Sequence, residues 1–248
     1  MAPDARIPEI LPHGQDGITL RLGLTPQEGT VGAVLKLRTA LETAALHGVE
    51  EIAGSLTSVF LRFDPLRLSH MALEVALSDL LQTHDWYGEG LPQGRKLWRV
   101  PTVFGGPHGP QLAEAAALAG MSPEDAVAQI AQTPVRVLTI GFSPGMPYLG
   151  QLPKAFDIPR KTELNPHVPP GGLALAIRQL VLFPVGTQTG WRWVGRAALD
   201  VFGQQAEQPF PLTAGDEIVF HPVDEATFED AWAKVEQGRM VAQSEALA

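Results

Sequence analysis

The sequence predicts an α+β protein in two parts, and three observations predict it. The first hundred residues alternate between apolar patterns of period 2 and period 3.6, the mark of interleaved strands and helices. Sixteen of the 55 residues from 141 to 195 are glycine or proline, a density that punctuates short strands with close turns. Near the end of the first region, residues 85–94 form a polar, glycine-bearing break.

Taken in order, Ile18, Leu20 and Leu22 alternate with polar neighbours and predict a half-buried strand. Val31, Val34, Leu35, Leu41 and Ala45 share one helical face, with Gly48 as the stop. Residues 49–53 and 58–63 predict two strands turning at Gly54-Ser55. Ser69 caps a second helix whose stripe is Leu73, Leu77, Leu80 and Leu81. Residues 95–103 predict a further strand. The resulting βαββαβ order is that of a ferredoxin-like, split βαβ unit.

Beyond it, residues 112–118 predict an alanine-rich helix stopped by Gly120. Ser122-Pro123-Glu124-Asp125 opens another, with a capping hydroxyl, proline at the first helical position and acid in the first turn. Strands are expected over 135–140, 173–177, 181–185, 191–194 and 218–220, a barrel-like or sandwiched arrangement. From Asp224 a surface helix docks through Phe228 and Trp232. The expected domains are therefore 1–94 (ferredoxin-like α/β), 95–223 (β-barrel) and 224–248 (C-terminal helix and tail).

Composition removes several function classes. The 248 residues contain no cysteine, which excludes disulfides, thiolate metal sites and a cysteine nucleophile. A net charge of −9 opposes binding to nucleic acid or an anionic membrane. No apolar run is long enough to cross a bilayer, and MAPDARIPEI lacks the apolar core of a signal peptide, so a soluble, cytoplasmic protein is expected. The seven histidines are scattered without His-x-His or His-x-x-x-His spacing, so no metal site is expected.

The most unusual string is Gly141-Phe142-Ser143-Pro144-Gly145-Met146-Pro147-Tyr148-Leu149-Gly150. Its prolines and glycines preset the backbone and would present Phe142, Met146 and Tyr148 as the wall of a small-molecule or partner site. The structural alternative is a tightly packed turn between strands. Ser143 is not read as a nucleophile elbow, because Pro144 follows it directly. Phe104-Gly105-Gly106-Pro107-His108-Gly109-Pro110 lies between a strand and a helix and offers either an anion site or a plain turn. It matches neither a P-loop nor Gly-x-Gly-x-x-Gly. Arg160, Arg178 and Arg196 are the cations expected on the β-domain face, each able to pair a carboxylate or to serve a structural ion pair. Trp191 and Trp193 flank Arg192, so both point to one face, with core packing expected of at least one.

These strings carry a family resemblance. GFSPGMPYLGQLP, Pro159-Arg160, Val168-Pro169-Pro170-Gly171-Gly172, Gln179, Pro184, Gly190-Trp191 and Gly195-Arg196 resemble the allophanate hydrolase subunit 1 family, also called the 5-oxoprolinase B-subunit or KipI family. Its pattern reads GF-x-PG-[FM]-PYLG-x-L, PR, VP-x-GS, GGQT, YP, GGW and GRT. FGGPHGPQL and VEEIAGSLTSVFLRFDP extend the likeness upstream. The resemblance implies a ferredoxin-like domain followed by a cyclophilin-like β-barrel. It also implies a KipA-like partner (allophanate hydrolase subunit 2, or the 5-oxoprolinase C-subunit) and a third protein of the lactam-utilisation type. The assembly would be an ATP-dependent amidohydrolase opening 5-oxoproline to glutamate; ATP belongs to the assembled complex, and no cofactor is assigned to this chain.

Several polar positions of the family pattern are replaced. Pro107 and Gln111 stand for its Glu and Asp, Gly172 for a Ser, His167 for an Arg, and Leu180 and Ala197 for Thr. A carboxylate replaced by proline accepts no proton. The candidate substrate-binding residues that survive are His108, Ser143, Met146, Tyr148, Arg160, Gln179, Trp191 and Arg196; no catalytic set is assigned. Two functions follow from the resemblance. One is a subunit of a heteromeric amide or lactam hydrolase. The alternative is a non-catalytic KipI-type module inhibiting a sensor histidine kinase. Peptidyl-prolyl isomerase activity would rest on fold alone, and fold does not carry function.

Overall fold

The computed structural model describes residues 8–88, 90–203 and 208–247. The chain divides into two compact units between Gln93 and Gly94.

The first unit holds β1 (Glu9–His13), β2 (Gly17–Arg21), α1 (Glu28–Ala44), β3 (Val49–Gly54), β4 (Ser58–Phe63) and α2 (His70–Gln82). The sheet order is β1-β2-β4-β3, with every neighbouring pair antiparallel. Alternation works as expected: Ile18 and Leu20 of β2 and Val59, Leu61 and Phe63 of β4 point to one face. There they meet Val34, Leu37 and Leu41 of α1 and Leu73 and Leu77 of α2. Ser69 caps α2 by accepting from the Ala72 N–H at 3.2 Å. Helix α1 ends earlier than expected, because Ala45 takes the left-handed capping conformation (φ 44°) ahead of Gly48. Ala45 is consequently exposed rather than part of the apolar face.

The βαββαβ order is corrected to ββαββα. The sheet's fourth place belongs to β1, which comes before the first predicted strand. Its five residues are mostly exposed and carry Pro12, tolerated only at an edge, so no alternation announces it. The strand expected to close this sheet, β5 (Lys96–Phe104), belongs instead to the second unit. Periodicity identifies a strand but says nothing about its neighbour.

After β5 the second unit continues with α3 (Leu112–Leu118), α4 (Pro123–Gln132), β6 (Val135–Ile140), β7 (Pro147–Gly150), β8 (Asn165–Val168), β9 (Gly172–Ala176) and β10 (Gln179–Leu182). It ends with β11 (Thr187–Thr189), β12 (Arg192–Ala197), β13 (Glu217–Pro222), α5 (Glu225–Glu236) and β14 (Gln243–Ala246). The order β12-β9-β10-β7-β6-β13-β5 closes on itself through β12–β5 pairing, giving a seven-stranded barrel. Its one parallel pair is β5–β13. Beside β12, the same edge of β5 is taken by β14, an entirely exposed strand with no apolar signal to announce it. The short β8 and β11 pair separately.

The barrel core gathers Leu149, Leu173, Leu175, Leu180, Leu182, Ile218 and Phe220 with Ala115 and Ile130 of α3 and α4. Buried Asp216 fastens β5 to the start of β13: its carboxylate accepts from the Lys96 N–H (2.8 Å), Trp98 Nε1 (3.1 Å) and the Thr213 N–H (3.1 Å). Ser122 caps α4 through the Asp125 N–H at 3.1 Å. The C-terminal helix docks by Phe228 and Trp232, as expected, both packed against Val103 and Ala198.

Candidate functional site

The Pro/Gly string splits into a turn and a strand. Gly141 N–H donates to the Met146 carbonyl (3.0 Å) and Met146 N–H to the Ser143 carbonyl (3.1 Å). Gly145 (φ 75°) passes so near the Val201 carbonyl that no side chain fits there. Phe142, left-handed at φ 71°, is 83% exposed at the tip. From Pro147 the chain is β7, not loop. Met146 does not face outward: it is buried with Val168, Ala174, Ala176, Val181, Phe183 and Trp191 in a second apolar cluster. Alternate residues of β9 and β10 therefore serve opposite faces of the wall. Leu173, Leu175, Leu180 and Leu182 fill the main core, and Ala174, Ala176 and Val181 fill the smaller one. Across that second face, Tyr148, Val181, Ala174 and Trp193 stand in register on β7, β10, β9 and β12.

Trp191 anchors the edge of this cluster. Tyr148 meets it edge-on (6.2 Å, 71°), and the Arg160 guanidinium lies over its ring at 5.2 Å. Gln179 is buried opposite Gly150 and Ala176, two residues along the strand from Val181, which pairs with Tyr148. Tyr148, Trp191, Arg160, Met146 and Gln179 thus belong to one side of the barrel wall, next to the turn that carries Ser143.

The other candidates lie elsewhere. The His108 ring packs against Phe228 (5.1 Å) and faces Glu225 and Glu229 at 3.4 and 3.5 Å. Arg196 stacks on Trp232 (4.0 Å) and Phe228 (5.5 Å), and its Nε donates to the Pro170 carbonyl at 2.9 Å. Burial lowers the Arg196 pKa against the opposing pull of Glu229 and Glu236. Both residues are engaged with α5. Among the described residues no hydrogen bond joins Ser143 to His108, so the two form no nucleophile–base pair.

The glycine loop after β5 is a turn most of whose N–H groups are bonded to backbone carbonyls of the loop or of β12. Gly105 donates to the Val194 carbonyl, His108 to Gly105, Gln111 to Trp193 and Leu112 to Gly109. These bonds favour the plain turn over the anion site.

The replaced positions have structural uses. Gln111 Oε1 accepts from the Trp193 N–H (2.8 Å) and from Asn165 Nδ2 (3.0 Å), while its Nε2 donates to Asn165 Oδ1 (2.6 Å). A side chain at Gly172 would overlap Val168, so no serine fits there without movement. Leu180 and Ala197 are fully buried in the barrel core. Ile177 and Arg178, standing where the family pattern has two glycines, form the β9–β10 turn with φ 45° and 62°. Sequence reasoning missed Asn165, Lys161 and Arg192. Asn165, the first residue of β8, also accepts from Lys161 Nζ (2.9 Å), and buried Arg192 pairs Glu114 at 2.9 Å. Asn165 and Arg192 carry no local pattern, because Gln111 and Glu114 come from distant elements.

The family described as carboxyltransferase domain, subdomain C and D, matches residues 8–212. The chain is 27% identical over 222 residues to the B-subunit of 5-oxoprolinase from Bacillus subtilis, spanning 87% of this chain and 92% of that protein. The crystal structure of TTHA0988 superposes with a TM-score of 0.71 at 31% identity, over 84% of this chain and 40% of that one. The K. lactis urea amidolyase shares the fold alone: TM-score 0.78 at 17% identity, over 99% of this chain and 17% of that one. This chain therefore spans less than half of either of those two larger proteins.

Proposed function

Because this chain belongs to the 5-oxoprolinase B-subunit (allophanate hydrolase subunit 1) family, we propose that it is one subunit of a 5-oxoprolinase-like complex. In this reading it works with a KipA-like second subunit on a small lactam or amide, with ATP as co-substrate of the assembly. The same reading takes the seven-stranded barrel as the cyclophilin-like domain that the resemblance implies.

The observation that carries the reading is the continuous family match over residues 8–212, through both units. The geometry supports a dependent subunit rather than a complete enzyme. The face around Trp191 offers a cation, a phenol and a buried amide (Arg160, Tyr148 and Gln179), groups that bind and orient. Among the described residues the hydroxyl of Ser143 has no bonded base, and an unactivated hydroxyl is a weak nucleophile at neutral pH. Activation of the lactam is thus assigned to the partner subunits.

Exposed Phe142, held by a tight turn, favours docking of another protein at this edge. It is also the feature that a non-catalytic KipI-type kinase inhibitor would use. Reconstitution with the second and third subunits separates the readings. Phosphate release from ATP that depends on 5-oxoproline, and that disappears when this chain is omitted, is the expected result. A reconstituted assembly without that dependence, together with inhibition of a histidine kinase by this chain alone, would replace the hydrolase reading by the inhibitor.

A further inference from the structure

We propose that Arg160, held over Trp191 beside Tyr148, is the receptor for the carboxylate of a small planar acid; naming that acid as the lactam substrate rests on the hydrolase reading above.

Other arginines of the barrel unit are already engaged. Arg178 Nε donates to the Leu152 carbonyl, Arg192 pairs Glu114, Arg196 donates to the Pro170 carbonyl, and Arg99 and Arg136 pair Glu245 and Glu217. Arg160 is the described arginine of this unit with no carboxylate or carbonyl on its guanidinium; only the Trp191 ring is against it. Acidic groups are plentiful in a chain of net charge −9, yet none of the described ones pairs with exposed Arg160, which leaves its guanidinium open to an acceptor.

The side chain is also set on a fixed base. The carbonyl of Pro159, immediately before it, accepts from Arg192 Nη1 at 2.5 Å. The N–H of Lys161, immediately after it, donates to the Gly190 carbonyl at 2.7 Å. Trp191 is held in turn by its N–H to Thr189 Oγ1 at 3.1 Å and by burial in the apolar cluster. Two bonds to neighbouring backbone groups thus bracket Arg160, and a buried indole orients its guanidinium. A guanidinium held over an indole spends no N–H hydrogen bond on it and keeps those groups for acceptors, the fork that can match a carboxylate bidentately. Tyr148 adds a phenol against the same indole; its hydroxyl has no partner among the described residues. The aromatic edges suit the flat, apolar remainder of a small acid. 5-Oxoproline, a five-membered lactam bearing one carboxylate, has that chemistry.

The test compares 5-oxoproline with 2-pyrrolidinone, the same lactam without the carboxylate. Calorimetric titration of the purified chain and steady-state kinetics of the reconstituted complex are run on wild type, Arg160→Gln and Arg160→Lys. Unchanged thermal melting shows that the variants fold. The expected result is binding of 5-oxoproline about tenfold or more tighter than 2-pyrrolidinone, a preference lost in Arg160→Gln and partly kept in Arg160→Lys. In the complex, Arg160→Gln raises KM for 5-oxoproline by about the same factor with kcat little changed. An active complex whose KM ignores Arg160→Gln overturns the inference and leaves the hydrolase reading standing. A complex inactive on 5-oxoproline, with Arg160-dependent binding by the chain, does the reverse. Failure of the Arg160→Gln subunit to assemble on size-exclusion chromatography gives the arginine to a partner chain and overturns the small-acid assignment. Absence of any Arg160 effect in both assays also overturns it.

Discussion

Among single residues, the β9–β10 turn is the place where side chain and backbone disagree. A two-residue hairpin matched to the twist of its strands needs both central residues left-handed. Glycine and asparagine meet that demand; a β-branched residue meets it worst. Ile177 nonetheless sits there at φ 45°, followed by Arg178 at φ 62°. What holds them are bonds outside the turn: Ile177 N–H to the Ile158 carbonyl (2.8 Å), Arg178 N–H to the Phe156 carbonyl (2.9 Å), and Arg178 Nε to the Leu152 carbonyl. Ile177 is 41% exposed, so its side chain returns little packing for the strain. Replacing Ile177 by glycine should therefore stabilise the barrel by about 1 kcal/mol, the lower end of the left-handed penalty, since glycine's extra unfolded-state entropy offsets part of the gain. Urea unfolding checks it; a loss of stability would show that Ile177 packs better than its exposure indicates. Arg178 is a different case, because its guanidinium has a structural bond to lose.

Among the elements, capping ties local sequence to a proton-dependent outcome. Helix α5 begins at Asp224, whose carboxylate accepts from the Thr227 N–H at 2.7 Å. Hydrogen bonds from the Thr227 side chain and then its backbone hold the Asp224 pKa below its ordinary 3.8. A lowered carboxylate pKa means the folded helix binds the proton less well than the unfolded chain. Its contribution is complete above the ordinary value and is lost as pH falls through the lowered one. The start of α5 should accordingly fray in acid, at pH values below about 3.8, and Asp224→Ala should fray at neutral pH and show less of that acid step. Amide exchange of residues 225–229 measures this; identical exchange in wild type and variant at pH 7 would refute it. Local signals of this kind also decide what is legible in the sequence. Elements with their own signals, such as α3 with its glycine stop, α4 with Ser122-Pro123 and the alternating β4, lie within a residue of expectation. Those without one escape it: exposed β14, edge strand β1 with Pro12, and the three-residue β11. The site divides the same way. The PGMPYLG string stands out by composition. The burial of Met146 and the engagement of Arg196 by α5 depend on partners far along the chain, which no local pattern encodes.

Over the whole chain, two cores share one polypeptide. The first unit closes around Ile18, Leu37, Leu61 and Leu73, and the barrel closes around Leu149, Leu175, Leu180 and Phe220. No residue belongs to both clusters, so each unit has its own source of hydrophobic stabilisation. The candidate site, with Arg160, Trp191 and Tyr148, lies wholly in the second. Leu61, fully buried at the centre of the first sheet between β2 and β3, is where a cavity should act on one unit alone. Leu61→Ala removes transfer energy and leaves a void, about 2–5 kcal/mol together. That loss should appear as faster amide exchange throughout the strands and helices of residues 8–88, with exchange in the barrel strands unchanged. Carboxylate binding through Arg160 should then survive in the same variant, because Leu61 and the Arg160 site belong to separate units, each with its own core. Equal loss of protection in both units would mean that they unfold as one cooperative body. The division into independent cores would then describe packing only, and the first unit would have to be counted as part of what holds the site in shape.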